Sequence, residues 1–512
     1  MPTPQQALAE ALQRARALAT GDVIRGPEMA RADRLLLAKR GFLLEIIKGW
    51  YALTTPNVEP GDTTFWHVHF WGFVSAYLRH RFKNDYCLSA EHSLDLWTGN
   101  TGTPKQLIVI CGRGGTSTVN LRNGASLLLY DAPKNLPKST ELIQGVQIMP
   151  LASALVRVSP GFFQHSATHA EIALRLVRPE ELSRVLLGEE GSMAAAGRII
   201  GAFRHCGLIE PADRLTADLT AAGYDFTVTN PFAAPPRLPV GLLFKSPYVG
   251  RLKALWGRMR PVAHKLFPGA PKSLPKAAAS LRRIADIYTR DAYHSLSIEG
   301  YKVTPELIDR IARGEWNPAV DAGDLSQVNA MAAKGYHEAF KAVSASLGEI
   351  LGRQPAPMIV NRDFAGWYRA LFSPSVQAGL LPAHALAGYR NRPVFIRGSE
   401  HVPPPHEAVP ELLETLFELL SAEPSPGVQA VLGHFFFVYI HPYSDGNGRI
   451  GRFFLNAFLA SGGYPWTIVR VENRKAYLDA LENASVREDI SAFTRFIAAE
   501  LAASAAFKEP KR

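Results

Sequence analysis

The apolar positions along this chain change period several times, and each change marks a different kind of element. Residues 5–18 carry small and apolar side chains at helical spacing. The spacing returns over 27–39, where Pro27 suits a first turn and Arg31, Arg34, Lys39 and Arg40 follow. Residues 41–53, GFLLEIIKGWYAL, read as two short strands around a turn. Two helices and a small hairpin make winged-helix order. Its physical use is a basic helix in the DNA major groove with the wing on the backbone; a small interaction module that touches no DNA has the same pattern. Residues 107–111, 118–122 and 126–130 read as further strands, and after Pro150 the pattern turns helical, as in HAEIALRLV and MAAAGRIIGAFRH. The Pro-rich, basic stretch 231–275 reads as a partly ordered connector. Beyond it the spacing is helical to the end, with one interruption near 388–406. The predicted fold class is multidomain α+β. It has a winged helix over 1–62, a mixed α/β region over 63–230, the connector over 231–275 and an all-α domain over 276–505 with a hairpin at its interruption.

Composition changes this picture in three places. The 512 residues fit three or four domains of about 100–200 residues each. The three cysteines, Cys87, Cys111 and Cys206, have no paired spacing, which excludes a disulfide framework and a cysteine metal site. No basic n-region precedes an apolar run at the start, and no stretch of 18 apolar residues occurs, so the expectation is a cytoplasmic protein without a membrane span. The net charge of +10 is concentrated: 226–285 holds eleven basic residues and no acidic one, which leaves the rest close to neutral. Such a segment attracts nucleic acid, an acidic protein or an anionic surface, or serves as a solvated linker.

The chemistry is concentrated in one stretch, from His441-Pro442-Tyr443-Ser444-Asp445 through Gly446-Asn447-Gly448-Arg449 to Ile450-Gly451-Arg452. Apolar residues at helical spacing precede it, and 453–459 continue as a buried-looking helix, so it reads as a loop that opens a core helix. Gly446 and Gly448 let backbone approach a ligand closely. Free N–H groups at the helix start, with its dipole, favour an anion such as phosphate. Arg449 and Arg452, three apart, share a face and can clamp phosphate. A carboxylate beside phosphates calls for a cation between them, which makes Asp445 a Mg²⁺ ligand candidate. His441, with an ordinary pKa of about 6.5, suits removal of a proton from an incoming hydroxyl. The set describes phosphoryl or nucleotidyl transfer. Residues 446–451 are formally GxGxxG, but HPYSD intervenes where a dinucleotide site needs a tight strand-to-helix turn. A calcium loop starting at Asp445 fails, with Ile450 at its sixth position and Asn456 at its twelfth.

This segment resembles the Fic family signature HPFx(D/E)GNGRxxR, with Tyr443 in place of Phe. The resemblance extends over about 275–505 and implies an all-α Fic fold with a β-hairpin flap. By it, His441 is the base for a Ser, Thr or Tyr hydroxyl of a target protein. Asp445 holds Mg²⁺; Gly446, Asn447, Gly448, Arg449 and Arg452 bind the phosphates of ATP; AMP is transferred. Tyr477 matches a position beside adenine, and a core aromatic is the other reading of it. Pro393, Val394, Phe395, Ile396 and Arg397 resemble the target-docking flap, where an extended target segment adds as a strand; a plain surface hairpin has the same pattern. Residues 295–300, SLSIEG, resemble the family's inhibitory motif, which assigns Ser295, Glu299 and Gly300 to it. Glu299 would pair bidentately with Arg452 and deny it to the γ-phosphate. The first 230 residues resemble AbiEi-type winged-helix antitoxins, on LAKRGFLLEIIKGWYAL, CLSAEHSLDLWTGNTGTPKQLIVIC and AGRIIGAFRHCG. That resemblance implies DNA as a partner of 1–62. Together the two imply a self-inhibited protein adenylyltransferase. A Fic enzyme that uses another nucleotide or removes AMP, and a toxin–antitoxin regulator in which the Fic site is secondary, stay open alternatives, as does a homodimer.

Overall fold

The computed structural model describes residues 3–54, 64–121, 124–188, 192–233, 246–271, 275–316, 327–381 and 388–507. The chain divides into two compact units, Met1–Ala254 with Phe395–Val402, and Leu255–Val394 with Pro403–Arg512.

The first unit opens with helix α1 (Pro4–Leu18), strand β1 (Val23–Arg25), helix α2 (Arg31–Lys39) and strands β2 (Leu43–Ile47) and β3 (Trp50–Leu53). Thr3 caps α1 in a reciprocal capping box with Gln6. The strands form an antiparallel sheet in the order β1-β3-β2, with Gly49 at φ +82° in the tight turn. Ala11, Ala15, Ile24, Leu37, Leu43 and Leu53 make the small core. Two details differ from the sequence reading. β1 is only three residues long, too short to give an alternation. The second helix begins at Arg31, because Pro27 sits in a separate 3-10 turn, Gly26–Glu28.

Next come α3 (Thr64–Phe82), β4 (Tyr86–Leu88), α4 (Ala90–Trp97), β5 (Gln106–Cys111), β6 (Ser117–Asn120), β7 (Ser126–Asp131), β8 (Glu141–Ile143) and β9 (Val146–Ile148). The larger sheet runs β4-β5-β7-β6; β5 and β7 are parallel and the outer pairs antiparallel. Six helices, α5 to α10, follow Pro150: Leu151–Arg157, Phe162–His165, Ala167–Leu176, Pro179–Leu187, Met193–His205 and Ile209–Ala221. They bury a second core around Leu155, Phe163, Ile199 and Phe203.

Helix α11 (Pro247–Leu266) lies where a connector was expected, and this is a correction. The Pro and basic content of 231–275 masked apolar spacing that buries Leu252, Leu255, Trp256, Met259 and Ala263. Residues 234–245 and 272–274 of that predicted connector lie outside the described residues.

The second unit is helical throughout its described residues: α12 (Ala277–Asp286), α13 (Tyr288–Ile298), α14 (Pro305–Ala312), α15 (Gln327–Leu351), α16 (Ala356–Gln377), α17 (Val409–Ala422), α18 (Pro426–Ile440), α19 (Asn447–Ser461), α20 (Arg474–Val486) and α21 (Ser491–Ala506). Two 3-10 turns interrupt them, His406–Ala408 and Val471–Asn473. Helices α18 and α19 are the buried centre. Every residue of α18 except Pro426 and Val438 is buried, so the one-sided apolar face read from sequence is replaced by burial all round.

The predicted β-hairpin over the flap is not formed, a second correction: residues 388–405 contain no strand. A turn at 396–399 is present, with Ser399 N–H donating to Ile396 O at 3.1 Å and Gly398 at φ +75°. No ladder flanks it. Pro393 has no N–H to donate, and Arg390 before it is bonded elsewhere.

Candidate active site

The 441–446 loop is set by two left-handed residues at its ends. His441 caps α18 at φ +53°, ψ +60°, and Gly446 opens α19 at φ +83°. A non-glycine residue held in this region is costly and persists only where its surroundings fix it. Here they do. Arg390 donates from Nε to His441 O at 2.8 Å and from Nη2 to Pro404 O, and its own N–H reaches Pro442 O at 2.9 Å. These bonds satisfy carbonyls that the end of α18 leaves open. Gly446 admits no side chain: a Cβ there would come within 2.7 Å of the Phe372 ring. Asn447 braces the loop from inside, accepting from Tyr443 N–H at 3.0 Å and donating to Tyr443 O at 2.8 Å. Tyr443 stacks on Tyr368 at 3.6 Å with an interplanar angle of 4°. Arg390 was grouped with the flap in the sequence reading, and its role in fixing the loop carries no sequence signal, because its partners are main-chain carbonyls.

His441 Nδ1 lies 3.2 Å from Val438 O. A carbonyl only accepts, so Nδ1 carries the proton and Nε2 keeps its lone pair. Burial pushes the ring pKa down to about 4, so the ring is neutral at pH 7. It has the protonation state that a general base needs.

Arg449 and Arg452 share a helix face but face different partners. The Arg449 guanidinium is buried between the rings of Phe372 at 4.9 Å and Tyr301 at 5.2 Å. Its Nη2 reaches Asp445 Oδ2 at 3.1 Å. Arg452 donates from Nε to Ser295 Oγ at 2.9 Å and from Nη2 to Ser295 O at 3.0 Å and Glu299 Oε1 at 2.7 Å. The contact with Glu299 is therefore single rather than the expected bidentate fork: Nε and one bond of Nη2 go to Ser295, and Nη1 makes none among the described residues. Burial would favour loss of the Arg452 proton, but the charge and hydrogen bond of Glu299 together with Tyr477 and Tyr336 outweigh it and hold the cation. Burial likewise pushes the Glu299 carboxyl up, and Arg452 and Arg449 outweigh that, so it sits below its usual range. Arg449 Nε and Arg452 Nη1 are buried without a hydrogen-bond partner among the described residues. Two orphaned guanidinium nitrogens beside a helix N-terminus fit an anionic ligand.

Glu299 is placed by the end of α13. It is the C-cap, Gly300 follows at φ +90°, Gly300 N–H bonds Ser297 O at 3.0 Å and Tyr301 N–H bonds Leu296 O at 3.1 Å. This Schellman turn swings Tyr301 onto Arg449. Arg474 Nε also donates to Ile298 O at 2.6 Å. A Cβ on Gly448 would meet Glu299 Oε1 at 2.5 Å, so the carboxylate lies directly against the start of α19. Within α13, Asp291 was missed in the sequence. It accepts from Tyr336 OH at 2.6 Å and Trp466 Nε1 at 3.0 Å, and burial holds its carboxyl above the usual range.

For a metal, the described residues offer no cluster of three or more His, Cys, Asp or Glu side chains. Asp445, 61% exposed at the side chain, is the carboxylate beside the anion site. One carboxylate suits Mg²⁺ that arrives with phosphate oxygens and water. Tyr477 is 2% exposed, and its hydroxyl lies 2.8 Å from His434 Nε2. Of the flap positions, Pro393 and Arg397 are exposed, and Val394, Phe395 and Ile396 are half-buried.

Residues 362–459 match the Fic/DOC family. That stretch contains all of 441–452 and neither Glu299 nor Tyr477. A protein adenylyltransferase Fic of Nematostella vectensis is 34% identical over 223 residues, 42% of this chain and 48% of that protein. One of Culex quinquefasciatus is 31% identical over 227 residues, 43% of this chain and 41% of that protein. The chain thus spans about half or less of the length of these curated relatives. Among solved structures, Fic-1 (residues 134–508) from C. elegans is 19% identical, with a TM-score of 0.37, covering 66% of this chain and 90% of that one.

Proposed function

We propose that the second unit is a protein adenylyltransferase restrained by its own Glu299. The observation that carries this reading is the 441–452 loop. A neutral histidine with a free Nε2, a glycine-lined helix start and two arginines with unpaired nitrogens lie within twelve residues. The curated relatives named above, about a third identical over 223 and 227 residues, support the nucleotidyl class.

In this reading the triphosphate of ATP lies on the N-terminus of α19, held by main-chain N–H groups of 446–448 and by Arg449. Arg452 aligns the terminal phosphates. Mg²⁺, when bound at Asp445, neutralises phosphate charge. His441 Nε2 accepts the proton of a target Ser, Thr or Tyr hydroxyl as the oxygen attacks the α-phosphorus. The new bond is oxygen to α-phosphorus, the bond to the bridging oxygen breaks, and pyrophosphate leaves. Gly448 carries no side chain that could occupy the phosphate seat. Glu299 sits there instead, holding Arg452 and setting negative charge where phosphate belongs, so ATP binds out of line for attack.

The test uses ATP labelled at the α- or the γ-phosphate with the Glu299→Gly protein in a lysate. Label from the α-phosphate on protein, with none from the γ-phosphate, supports AMP transfer. The opposite pattern refutes it in favour of phosphorylation.

A second reading concerns residues 1–62. The order α1-β1-α2-β2-β3 with sheet order β1-β3-β2 is compatible with a winged helix and supports this reading, and Arg31, Lys39 and Arg40 at its second helix are exposed. Arg34 is spent on Gly26 O at 3.0 Å. DNA binding through this helix predicts an affinity for duplex DNA that falls steeply with salt and falls further in Arg31→Ala/Lys39→Ala/Arg40→Ala. Salt-independent binding, or none, excludes it.

A further inference from the structure

The second unit holds a cavity of about 560 Å³ lined by α12 and by the far end of α19 and the residues after it, and none of 441–452 lines it. Its size falls within the range of about 300–1,000 Å³ typical of small-molecule sites. Its wall is mostly apolar, formed by Ile284, Leu351, Ala460 and the ring of Trp466. Ser280, Arg283 and, one further turn along α12, the carboxylate of Asp286 also line it; donors for an anion come from the first two, which are one turn apart. Ser280, 9% exposed, has a buried Oγ with no hydrogen-bond partner among the described residues. An unbonded buried hydroxyl in a native fold needs an explanation, and a ligand supplies one. Arg283, one helical turn on and exposed, lines the same cavity. A cation next to an apolar pocket suits the anionic head of an amphipathic molecule.

The cavity is tied to the inhibitory helix by chain and by hydrogen bond. Ser280, Arg283 and Ile284 belong to α12, which passes into α13 through the single residue Ile287. Trp466, in the wall, donates from Nε1 to Asp291 of α13 at 3.0 Å. From Asp291 the same helix runs to Ser295 and Glu299, which hold Arg452.

We propose that this cavity is a binding site for a small amphipathic anion, a flat apolar body with a carboxylate, sulfonate or phosphate head, and that its occupancy biases the position of α13. The apolar body lies against Trp466 and Leu351. The head meets Arg283, and an acceptor atom takes the Ser280 hydroxyl. The second clause rests on the reading of Glu299 as a brake; the first does not.

The probe is 8-anilinonaphthalene-1-sulfonate, titrated calorimetrically into the full chain without nucleotide. One saturable site is expected. Ala460→Phe, which fills the cavity, should abolish it. Arg283→Glu, at an exposed position that should not disturb folding, should weaken it about tenfold through loss of a charge-assisted contact. Equal binding by wild type, Ala460→Phe and Arg283→Glu would overturn the site. Self-modification with α-labelled ATP is then measured with and without probe. A change of rate in wild type that is absent in both Arg283→Glu and Glu299→Gly supports the coupling. No change in wild type, while Glu299→Gly is active, overturns the coupling and leaves the enzyme reading standing. An inactive Glu299→Gly protein counts against the enzyme reading itself, and the calorimetry still decides the site.

Discussion

The 441–446 loop and the turn that ends α13 meet at Arg449, which bonds Asp445 and lies over the Tyr301 ring, yet they are built in opposite ways. The loop is fixed at the level of the backbone. Two left-handed residues bound it, Asn447 bonds both faces of Tyr443, and Arg390 closes the carbonyls behind His441. Substitution at such positions strains the chain, because a left-handed residue costs of order 1–3 kcal/mol to hold. The end of α13 is attached through side chains: Arg452 to Ser295 and Glu299, and Arg474 to Ile298 O. Each such bond contributes about 1–3 kcal/mol, so a binding event of ordinary strength can release it. On the proposed reading, this difference lets a catalytic loop stay ready while its restraint stays removable.

Four predictions break or sharpen this contrast. The largest concerns the loop. In a Glu299→Gly background, His441→Ala should lower transfer by about 10²–10⁴, the usual range for a general base, while ATP binding by calorimetry survives. Asp445→Ala in that background should lower transfer comparably and abolish its dependence on Mg²⁺ concentration; a retained Mg²⁺ dependence would move the metal elsewhere. On the other side, Glu299→Gly alone should raise self-modification by about tenfold to a hundredfold, the equivalent of one partly buried ionic bond. The smallest effect concerns Arg474. Arg474→Ala removes one bond to the end of α13 and should raise self-modification by roughly fivefold, about 1 kcal/mol.

A titration sharpens the loop half. Burial lowers the His441 pKa, so the folded ring stays neutral as pH falls through 6.5 and takes up a proton only near about 4. In the nucleotide-free protein its ring resonances should therefore stay constant between pH 8 and about pH 5. A midpoint near 6.5 would mean that the ring is solvated and that the loop is looser than described.

What could be read from sequence follows the same division. The loop was legible because its glycines, arginines and histidine are adjacent in the chain, and adjacency reports local geometry directly. SLSIEG was singled out by its resemblance to a family motif, and its contact with Arg452 is single where a fork was expected. Asp291, Tyr336 and Trp466 form one hydrogen-bonded group but lie far apart in sequence, so no spacing announces them. Helix α11 was hidden by its basic residues and by Pro247 and Pro261, while its apolar positions kept helical spacing. The hairpin flap was what the Fic resemblance implied, and of it only the turn at 396–399 is present. Strand pairing on either side needs a ladder that Pro393 and the prolines at 403–405 do not supply.

The most direct test compares wild type, Glu299→Gly and Glu299→Gly/His441→Ala for incorporation of α-labelled phosphate into the protein itself. Little label in wild type, strong label in the single variant and none in the double variant is the predicted result. Equal labelling of wild type and Glu299→Gly, or label that persists without His441, would contradict the account.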